Sequence, residues 1–200
     1  YGLVAIGIVD PANLKRNAGA KPGDLLVLGK PLGVGIYSAA LKKGKLAADG
    51  YAAMIASTTK LNTPGLALGT MPGVHALTDV TGFGLAGHLL EICRGSDAGA
   101  VVDFARVPLH AGVAGLVRAG HAAGASGRNW AGYGADVRID APDPDLVRTL
   151  VTDPQTSGGL LVACAPADVD GVLTAFARDG FERAAVIGEI VAGAPQVVVR

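Results

Sequence analysis

The sequence is poor in aromatic residues and in net charge, and each shortage narrows the possible functions. Only 4% of the 200 residues are aromatic, so a hydrophobic core has to be built from Ala, Val, Leu and Ile. Seventeen Lys and Arg residues balance seventeen Asp and Glu residues, and no basic block occurs. This balance argues against a nucleic-acid partner held by charge. The length predicts one domain, or one domain with part of a second.

No long hydrophobic run is present either. The mean hydropathy is high, at +0.41, yet Gly, Pro or a charged residue interrupts every apolar stretch before the ~18 residues that a membrane-spanning helix needs. The chain also opens without a signal-peptide pattern. We therefore expect a soluble, cytoplasmic protein with no membrane partner. Because the chain opens at Tyr1 rather than Met, we also expect a fragment of a longer protein.

Cysteine is scarce as well. Cys93 and Cys164 are the two cysteines of the chain, and they fall on a predicted helix and a predicted strand. Their separation fits neither a metal-binding motif nor a disulfide framework, which is typical of a reducing compartment. The simplest interpretation is that both are buried, unreactive thiols.

The hydrophobic pattern predicts strands and helices in irregular alternation, with two strands at the end. Apolar runs predict strands at residues 1–9, 25–28, 100–104, 160–164, 185–191 and 196–199, and another that ends at Asp79. Apolar residues three and four positions apart predict helices at residues 34–43, 47–61, 85–93, 110–119, 143–151 and 168–178. Such an order is typical of an α+β domain, with helices packed on a mixed β-sheet.

The central stretch of the chain is Leu77-Thr78-Asp79-Val80-Thr81-Gly82-Phe83-Gly84. Asp79 is predicted at the C-terminal tip of a strand, just before the chain turns into a helix. The two glycines allow positive φ or the close approach of a ligand, and the threonines and backbone amides can line an anion site. A carboxylate beside such amides suits a divalent metal better than a bare phosphate. An N-cap before an ordinary helix explains the same pattern, so both interpretations stay open.

A second glycine turn, Asp153-Pro154-Gln155-Thr156-Ser157-Gly158-Gly159, precedes the predicted strand at residues 160–164. It again combines hydroxyl groups with free backbone amides next to a strand. Such a segment can bind phosphate oxygens, or it can be a simple tight turn. The residues alone leave both possibilities open.

Two further segments contain residues that could bind a ligand or a metal ion. Residues 120–134 are dominated by Gly and Ala but include Arg128, Asn129 and the single Trp of the chain, Trp130. This composition predicts a functional or mobile loop, anchored to the core by the indole. His88 and Glu91 are three positions apart on a predicted helix, a spacing compatible with metal ligation or with an exposed helical face.

Taken together, these segments resemble the C-terminal part of the selenophosphate synthetase (selenide, water dikinase) family. The matching segments occur in the family's order from residue 7 to residue 161: Gly7-Ile8-Val9-Asp10-Pro11, Lys15-Arg16-Asn17, Lys21-Pro22-Gly23-Asp24, Lys30-Pro31-Leu32-Gly33, the central stretch with Gly87-His88, Arg128-Asn129, and the second glycine turn with Leu160-Leu161. The resemblance implies the fold of the aminoimidazole-ribonucleotide synthetase superfamily. Residues 1–16 would be the last strand and connection of a truncated N-terminal ATP-binding domain, and residues 17–200 the C-terminal α+β domain.

The resemblance also implies a reaction, ATP + selenide + water → selenophosphate + AMP + phosphate, with Mg²⁺ required and a homodimeric enzyme. Asp79 matches the aspartate with which the family's C-terminal domain helps to hold Mg²⁺. The candidates for binding ATP are Thr78, Thr81, Gly82, Asn129, Thr156, Ser157, Gly158 and Gly159. The family's nucleophilic cysteine or selenocysteine lies in the N-terminal part. We therefore expect no catalytic residue here, and no activity from these 200 residues alone.

Two alternatives follow from the same features. The parent protein could be another enzyme of the superfamily, such as thiamine-monophosphate kinase or the cyclo-ligase of purine synthesis. It could also be a non-catalytic paralogue that keeps the C-terminal fold for structure. A cysteine or selenocysteine near a lysine in the N-terminal part would favour the enzyme.

Overall fold

A single mixed β-sheet organises the chain in the computed structural model, which describes Val4 and residues 6–200. Within those residues the sheet has seven strands: β1 (Leu25–Leu28), β2 (Val74–Asp79), β3 (Gly99–Val102), β4 (Val137–Ile139), β5 (Leu160–Cys164), β6 (Ala185–Val191) and β7 (Val197–Val199). Their order is β2-β5-β1-β6-β3-β7-β4. β7 pairs in parallel with β3 and β4, and the remaining pairs are antiparallel. The predicted α+β class with a mixed sheet is confirmed.

Helices cover both faces of the sheet. The described residues contain eight α-helices: α1 (Val34–Lys42), α2 (Ala48–Thr59), α3 (Pro64–Gly69), α4 (Gly84–Ser96), α5 (Val113–Arg118), α6 (Gly124–Tyr133), α7 (Pro144–Val151) and α8 (Val169–Arg178). None of these helices is long and apolar enough to cross a membrane.

The central strand β1 shows how the two faces are divided. Side chains alternate between the faces of a sheet. Leu26 and Leu28 therefore pack in the cluster that contains Leu89 of α4. Val27, between them, packs on the opposite face in the cluster that contains Phe176 of α8. Because both faces are covered, β1 and β5 are almost wholly apolar, as expected for strands buried on two sides.

A third apolar cluster joins α1, α2, α5 and α7 through Ile36, Met54, Val113 and Leu150. Residues 29–33 connect β1 directly to α1, so this group of helices lies next to the C-terminal end of β1. The second glycine turn follows α7 and leads into β5, which pairs with both β1 and β2. The sheet thus brings the ends of β1, β2 and the start of β5 together.

The interpretation of residues 120–134 as a loop was wrong, because most of this segment is helix α6. Its glycines weaken the helix by about 1 kcal/mol each relative to Ala. Tertiary packing outweighs that cost: Trp130 and Tyr133 pack against the main core cluster. The anchoring role predicted for Trp130 is confirmed, although it anchors a helix.

Other helices and strands also differ from the predicted ones. Helix α3, which begins at Pro64, was not predicted, although Pro is well suited to the first helical turn. The predicted helix at residues 110–119 is confined to α5, and β4 was not predicted. Val4 and residues 6–9 are exposed and lie in no strand. The rest of the strand predicted at residues 1–9 falls on residues 1–3 and 5, which are outside the described residues, and the division at residue 16 stays a prediction.

Candidate functional site

The central stretch begins where β2 ends. Asp79 is exposed, whereas its neighbour Val80 is fully buried in the main core. Val80 is held in register by its amide, which donates to the carbonyl of Gly159 at 2.9 Å. The strand tip is thus anchored by an apolar side chain on one side and presents a carboxylate on the other. Asp79 stands at the tip of a strand, where it was predicted.

Asp79 lies at the rim of an open cavity at the edge of the sheet. Thr78 and Leu160 line it from β2 and β5, and the remaining lining residues are Lys15, Arg16, Asn17, Ala18, Asn62 and Leu77. Lys15 is held in place by a bond from its ammonium group to the carbonyl of Met71 at 2.8 Å. No basic side chain forms an ion pair with Asp79 within the described residues. Its carboxylate is therefore available to a ligand.

The carbonyl of Thr81 connects the two glycine turns. It accepts a hydrogen bond from the amide of Gly84 at 3.1 Å, which closes the first turn, and another from the amide of Gln155 at 2.9 Å. Asn129, on α6, adds a second connection. Its side-chain amide donates to the carbonyls of Gly82 and Thr152, at 2.9 and 3.0 Å. Two segments far apart in sequence thus form one unit.

The second glycine turn caps helix α1. The Gln155 side-chain oxygen accepts from the amides of Gly33 and Val34, both at 3.2 Å. The carboxylate of Asp153 accepts from the amide of Gly35 at 3.1 Å and from the Gln155 side chain at 2.9 Å. These acceptors satisfy amides that a helix N-terminus leaves unpaired. Asp153 is fully buried, and this burial raises its pKa to about 7, although hydrogen bonds from the Gln155 side chain and from the amides of Ile36 and Gly35 oppose the shift.

Lys30 fixes the other end of the same turn. Its ammonium group is buried and donates to the carbonyls of Ser57, Lys60 and Ser157 at 3.1, 2.6 and 2.7 Å. Ser157 has a positive φ of 49°, which is unusual for a residue with a side chain. Burial lowers the pKa of Lys30 to about 8, and the nearby charge of Lys60 acts in the same direction. Lys30 therefore holds the turn by donating to backbone carbonyls, and no carboxylate pairs with it among the residues that the structure describes.

The glycines of the second turn are required by close packing. A Cβ atom on Gly158 would lie 1.9 Å from the carbonyl oxygen of Val80, and one on Gly159 would lie 2.3 Å from the amide nitrogen of Lys30. Thr156 lines a separate cavity with Ser38, Lys42, Lys43 and Gly124. The structure thus collects Thr81, Gly82, Asn129 and Gly158 around the paired turns, whereas the side chain of Thr156 points to another surface.

Of the two interpretations of the His88–Glu91 pair, the exposed helical face is wrong for His88. His88 is 7% exposed, because it lies beneath the first turn and contacts Thr81. Its Nε2 atom is 3.1 Å from the Thr81 hydroxyl, and its Nδ1 atom is 3.4 Å from a Glu91 carboxylate oxygen. In the described part of the chain, no group of three His, Cys, Asp or Glu side chains could hold a metal ion.

No role was predicted for Lys30, or for Lys15, Arg16, Asn17 and Asn62 around Asp79. The segment Lys15-Arg16-Asn17 was one of the segments that match the family, so the sequence could have indicated a polar cluster near Asp79. Lys30 also lies in a matching segment, Lys30-Pro31-Leu32-Gly33, but its local signal was only a charged residue between a buried strand and a proline. Both cysteines are buried, as predicted, and burial raises each thiol pKa to about 11.

Comparisons with known proteins agree with this architecture. Residues 21–200 match the family described as AIR synthase related protein, C-terminal domain. The chain is 64% identical over 197 residues to a protein named selenide, water dikinase from Burkholderia pseudomallei, covering 98% of this chain and 56% of that protein. It therefore spans about half the length of the curated relatives that it matches.

Solved structures show the same fold at low sequence identity. The crystal structure of hydrogenase maturation protein HypE aligns with a TM-score of 0.64 and 23% identity, over 96% of this chain and 53% of that one. Thiamine-monophosphate kinase from Stenotrophomonas maltophilia aligns with a TM-score of 0.66 and 20% identity, over 96% and 54%. With its fold and its sequence in agreement, the chain belongs to the family of AIR synthase related proteins, as a C-terminal domain whose sequence is similar to the C-terminal part of selenide, water dikinases.

Proposed function

We propose that this chain is the C-terminal part of an ATP-dependent selenophosphate synthetase and that it contributes Asp79 to a Mg²⁺–ATP site. The name shared by its relatives, selenide, water dikinase, supports the reaction ATP + selenide + water → selenophosphate + AMP + phosphate for the full-length parent. On the same basis we propose that the parent is a cytoplasmic homodimer. The observation that carries the proposed site is the exposed carboxylate of Asp79.

The surroundings of Asp79 fit a shared magnesium site. Mg²⁺ is usually held by one or two carboxylates, water and substrate phosphates, and Asp79 offers one carboxylate at the rim of an open cavity. The remaining ligands would come from the substrate and from the rest of the parent. Mg²⁺ bound there would neutralise the charge of the ATP phosphates. Arg16 and Asn17 line the same cavity, and they can donate hydrogen bonds to phosphate oxygens.

The chain offers no candidate nucleophile in its described part. Cys93 and Cys164 are buried, and their raised pKa values keep them protonated at neutral pH. The Lys30 ammonium is occupied by backbone carbonyls. We therefore propose that the chemistry needs residues of the parent beyond this chain, so that these 200 residues alone form no AMP.

Two other functions are compatible with this fold. The similarity to thiamine-monophosphate kinase is limited to the fold, at 20% identity, whereas the similarity to selenide, water dikinases extends over almost the whole chain at 64% identity. A non-catalytic paralogue would have no use for an unpaired carboxylate beside a polar cavity. Both observations favour selenophosphate synthesis.

The test is selenide-dependent conversion of ATP to AMP by the full-length parent, wild type against Asp79→Asn. We expect the variant to lose about a hundredfold in kcat/KM, the scale of losing one strong electrostatic contact to the reacting phosphates. Its free energy of unfolding should change by less than about 0.5 kcal/mol, because the side chain is exposed. Asp170→Asn, which removes another exposed carboxylate, should leave the activity unchanged.

The outcomes separate the parts of the proposal. A wild-type parent that forms no AMP in response to selenide would refute the reaction. An active wild type with an equally active Asp79→Asn variant would refute the magnesium role of Asp79 and leave the reaction standing.

A further inference from the structure

The Lys30 ammonium group is buried among neutral oxygen atoms. Lys30 is 3% exposed, and its Nζ atom donates to the carbonyls of Ser57, Lys60 and Ser157 at 3.1, 2.6 and 2.7 Å. The hydroxyl oxygen of Ser157 is a fourth neighbour, at 3.5 Å. An ammonium group has three protons to donate, so the three carbonyls satisfy all of them. These three carbonyls are called the ammonium site below.

The ammonium site joins the end of α2 to the second glycine turn. The last carbonyls of a helix have no partner within the helix, and the helix dipole favours a cation beside them. Ser57 lies in the last turn of α2, and Lys60 directly follows that helix. Ser157 belongs to the second glycine turn. One positive charge therefore holds together two segments that are far apart in sequence.

Both segments lead to the cavity of Asp79. Asn62, which follows the end of α2, lines that cavity, and its side-chain amide donates to the carbonyl of Gly158 at 2.8 Å. The carbonyl of Gly159 accepts from the amide of Val80, the residue after Asp79, at 2.9 Å. The two glycines beside the ammonium site thus hold Asn62 on one side and the tip of β2 on the other.

An apolar side chain could fill the space of Lys30 without burying a charge. Moving an ammonium group out of water is costly unless strong hydrogen bonds compensate, and no carboxylate pairs with Lys30 in the described part of the chain. Burial lowers the pKa of Lys30, and the nearby charge of Lys60 lowers it further. An apolar replacement would, however, leave three carbonyls without a donor. The site therefore requires a small cation.

We propose that Lys30 is a tethered cation and a positioning residue: its ammonium group occupies a site for a monovalent cation and thereby keeps Asp79 in place at its cavity. The proposal rests on the proposed function and deepens it, because it names the residue that sets the position of the proposed magnesium ligand. Rings of backbone carbonyls are also the ligands with which proteins bind potassium ions. A free cation of this kind should therefore be able to replace the ammonium group.

The first experiment is independent of catalysis and uses the full-length parent with Lys30→Ala, which removes the ammonium group and keeps the three carbonyls. We expect hydrogen exchange at the amides of Val80 and Gln155 to accelerate by about tenfold to a hundredfold. Ammonium chloride should reverse most of this change. Tetramethylammonium chloride at the same ionic strength should not, because its cation is larger and has no N–H bond.

Lys60→Ala is the matched control. The ammonium group of Lys60 donates to the carbonyl of Gly180 and lies over the ring of Phe181, so its removal leaves the ammonium site intact. This variant and the wild type should each show the same exchange in the two salts. An equal response of Lys30→Ala to both salts would overturn the cation site, and so would a variant that fails to fold in ammonium chloride.

The second experiment measures the Mg²⁺ concentration that gives half-maximal AMP formation by the parent. If Lys30 keeps Asp79 in position, this concentration should rise by about tenfold in Lys30→Ala, and ammonium chloride should return it toward the wild-type value in the same salt. A loss of folded protein alone would lower the maximal rate and leave this concentration unchanged. Lys60→Ala should not alter it.

The outcomes separate this proposal from the proposed function. An unchanged Mg²⁺ requirement in Lys30→Ala, with a raised one in Asp79→Asn, would overturn the positioning role and keep the magnesium site. An unchanged requirement in both variants would refute the magnesium role of Asp79 and the positioning role with it. A parent that forms no AMP in response to selenide would refute the reaction, and the exchange experiment would still decide whether Lys30 occupies a cation site.

Discussion

The two glycine turns have similar compositions and different structures. Each combines an aspartate, hydroxyl residues and two glycines next to a strand. In the first turn the aspartate, Asp79, is exposed, and a Cβ atom on Gly82 would meet nothing within 4 Å. In the second turn the aspartate, Asp153, is fully buried, and a Cβ atom on Gly158 would strike the backbone of Val80.

The difference lies in what each turn has to support. The second turn occupies the junction of β1, β5 and α1, where it supplies acceptors for the first amides of α1 and receives the Lys30 ammonium. The side chains of Asp153 and Gln155 face the protein, whereas Thr156 is exposed. The first turn rests on the second through the carbonyl of Thr81, so its outer side stays open. An open turn supported by a buried one is the arrangement that a binding site needs, since rigid support keeps the exposed group in place.

The sharpest contrast between the two turns comes from adding a methyl group to each. Gly158→Ala should lower the free energy of unfolding by about 3 kcal/mol, because the new Cβ atom meets backbone that cannot move aside. Gly82→Ala should change it by less than about 0.5 kcal/mol, since Gly82 has open space around it and is not among the glycines with positive φ. Urea unfolding of both variants measures this contrast, and equal effects would refute the distinction between the turns.

A pH series tests the burial of Asp153. Its pKa is raised to about 7 in the folded protein from an ordinary value of 3.8. Between these values the folded chain binds a proton that the unfolded chain has lost, so rising pH destabilises the fold. We expect the wild type to lose stability relative to Asp153→Asn between about pH 4 and 7, at up to ~1.4 kcal/mol per pH unit, and then to level off.

The comparison between variant and wild type is essential here, because His110 opposes the effect. Burial lowers the pKa of His110 to about 4 from 6.5, so its contribution to stability is present above pH 6.5 and is lost as the pH falls through 4. In the wild type the two trends partly cancel. Asp170→Asn serves as the exposed control and should follow the wild type. A difference between wild type and Asp153→Asn that stays constant from pH 4 to 8 would contradict the prediction.

The smallest expected effect concerns the connection between the turns. Asn129→Ala removes donors to the carbonyls of Gly82 and Thr152 and should destabilise the fold by about 1 kcal/mol. Hydrogen exchange should accelerate at the amides of Gly84 and Gln155, which bond to the turn. Arg128→Ala, at the exposed neighbouring position, is the matched control. Unchanged exchange in Asn129→Ala would show that the turns are held together without this side chain.

Much of the fold was predictable because its signals are local. The continuous apolar runs of β1 and β5 and the apolar spacing in α8 each reflect burial within one element, so these elements appear near their predicted bounds. The errors lie where distant contacts outweigh local preference. Helix α6 forms despite its glycines because Trp130 and Tyr133 find partners in the core. His88 is a polar residue, yet its side chain is buried, because it packs beneath the first turn and contacts Thr81.

The features of the candidate site also divide into those set by local sequence and those set by distant contacts. By itself, the sequence determined that an acid would stand at the tip of β2 and that two glycine turns would flank strands, because residue type and spacing act over a few residues. Only the tertiary structure decided that one turn supports the other, that Lys30 binds three carbonyls, and that Asp153 caps α1. The contacts of Lys30 with Ser157 and of Asp153 with Gly35 join residues more than a hundred positions apart. Their geometry depends on the strand order of the sheet, which no local pattern encodes.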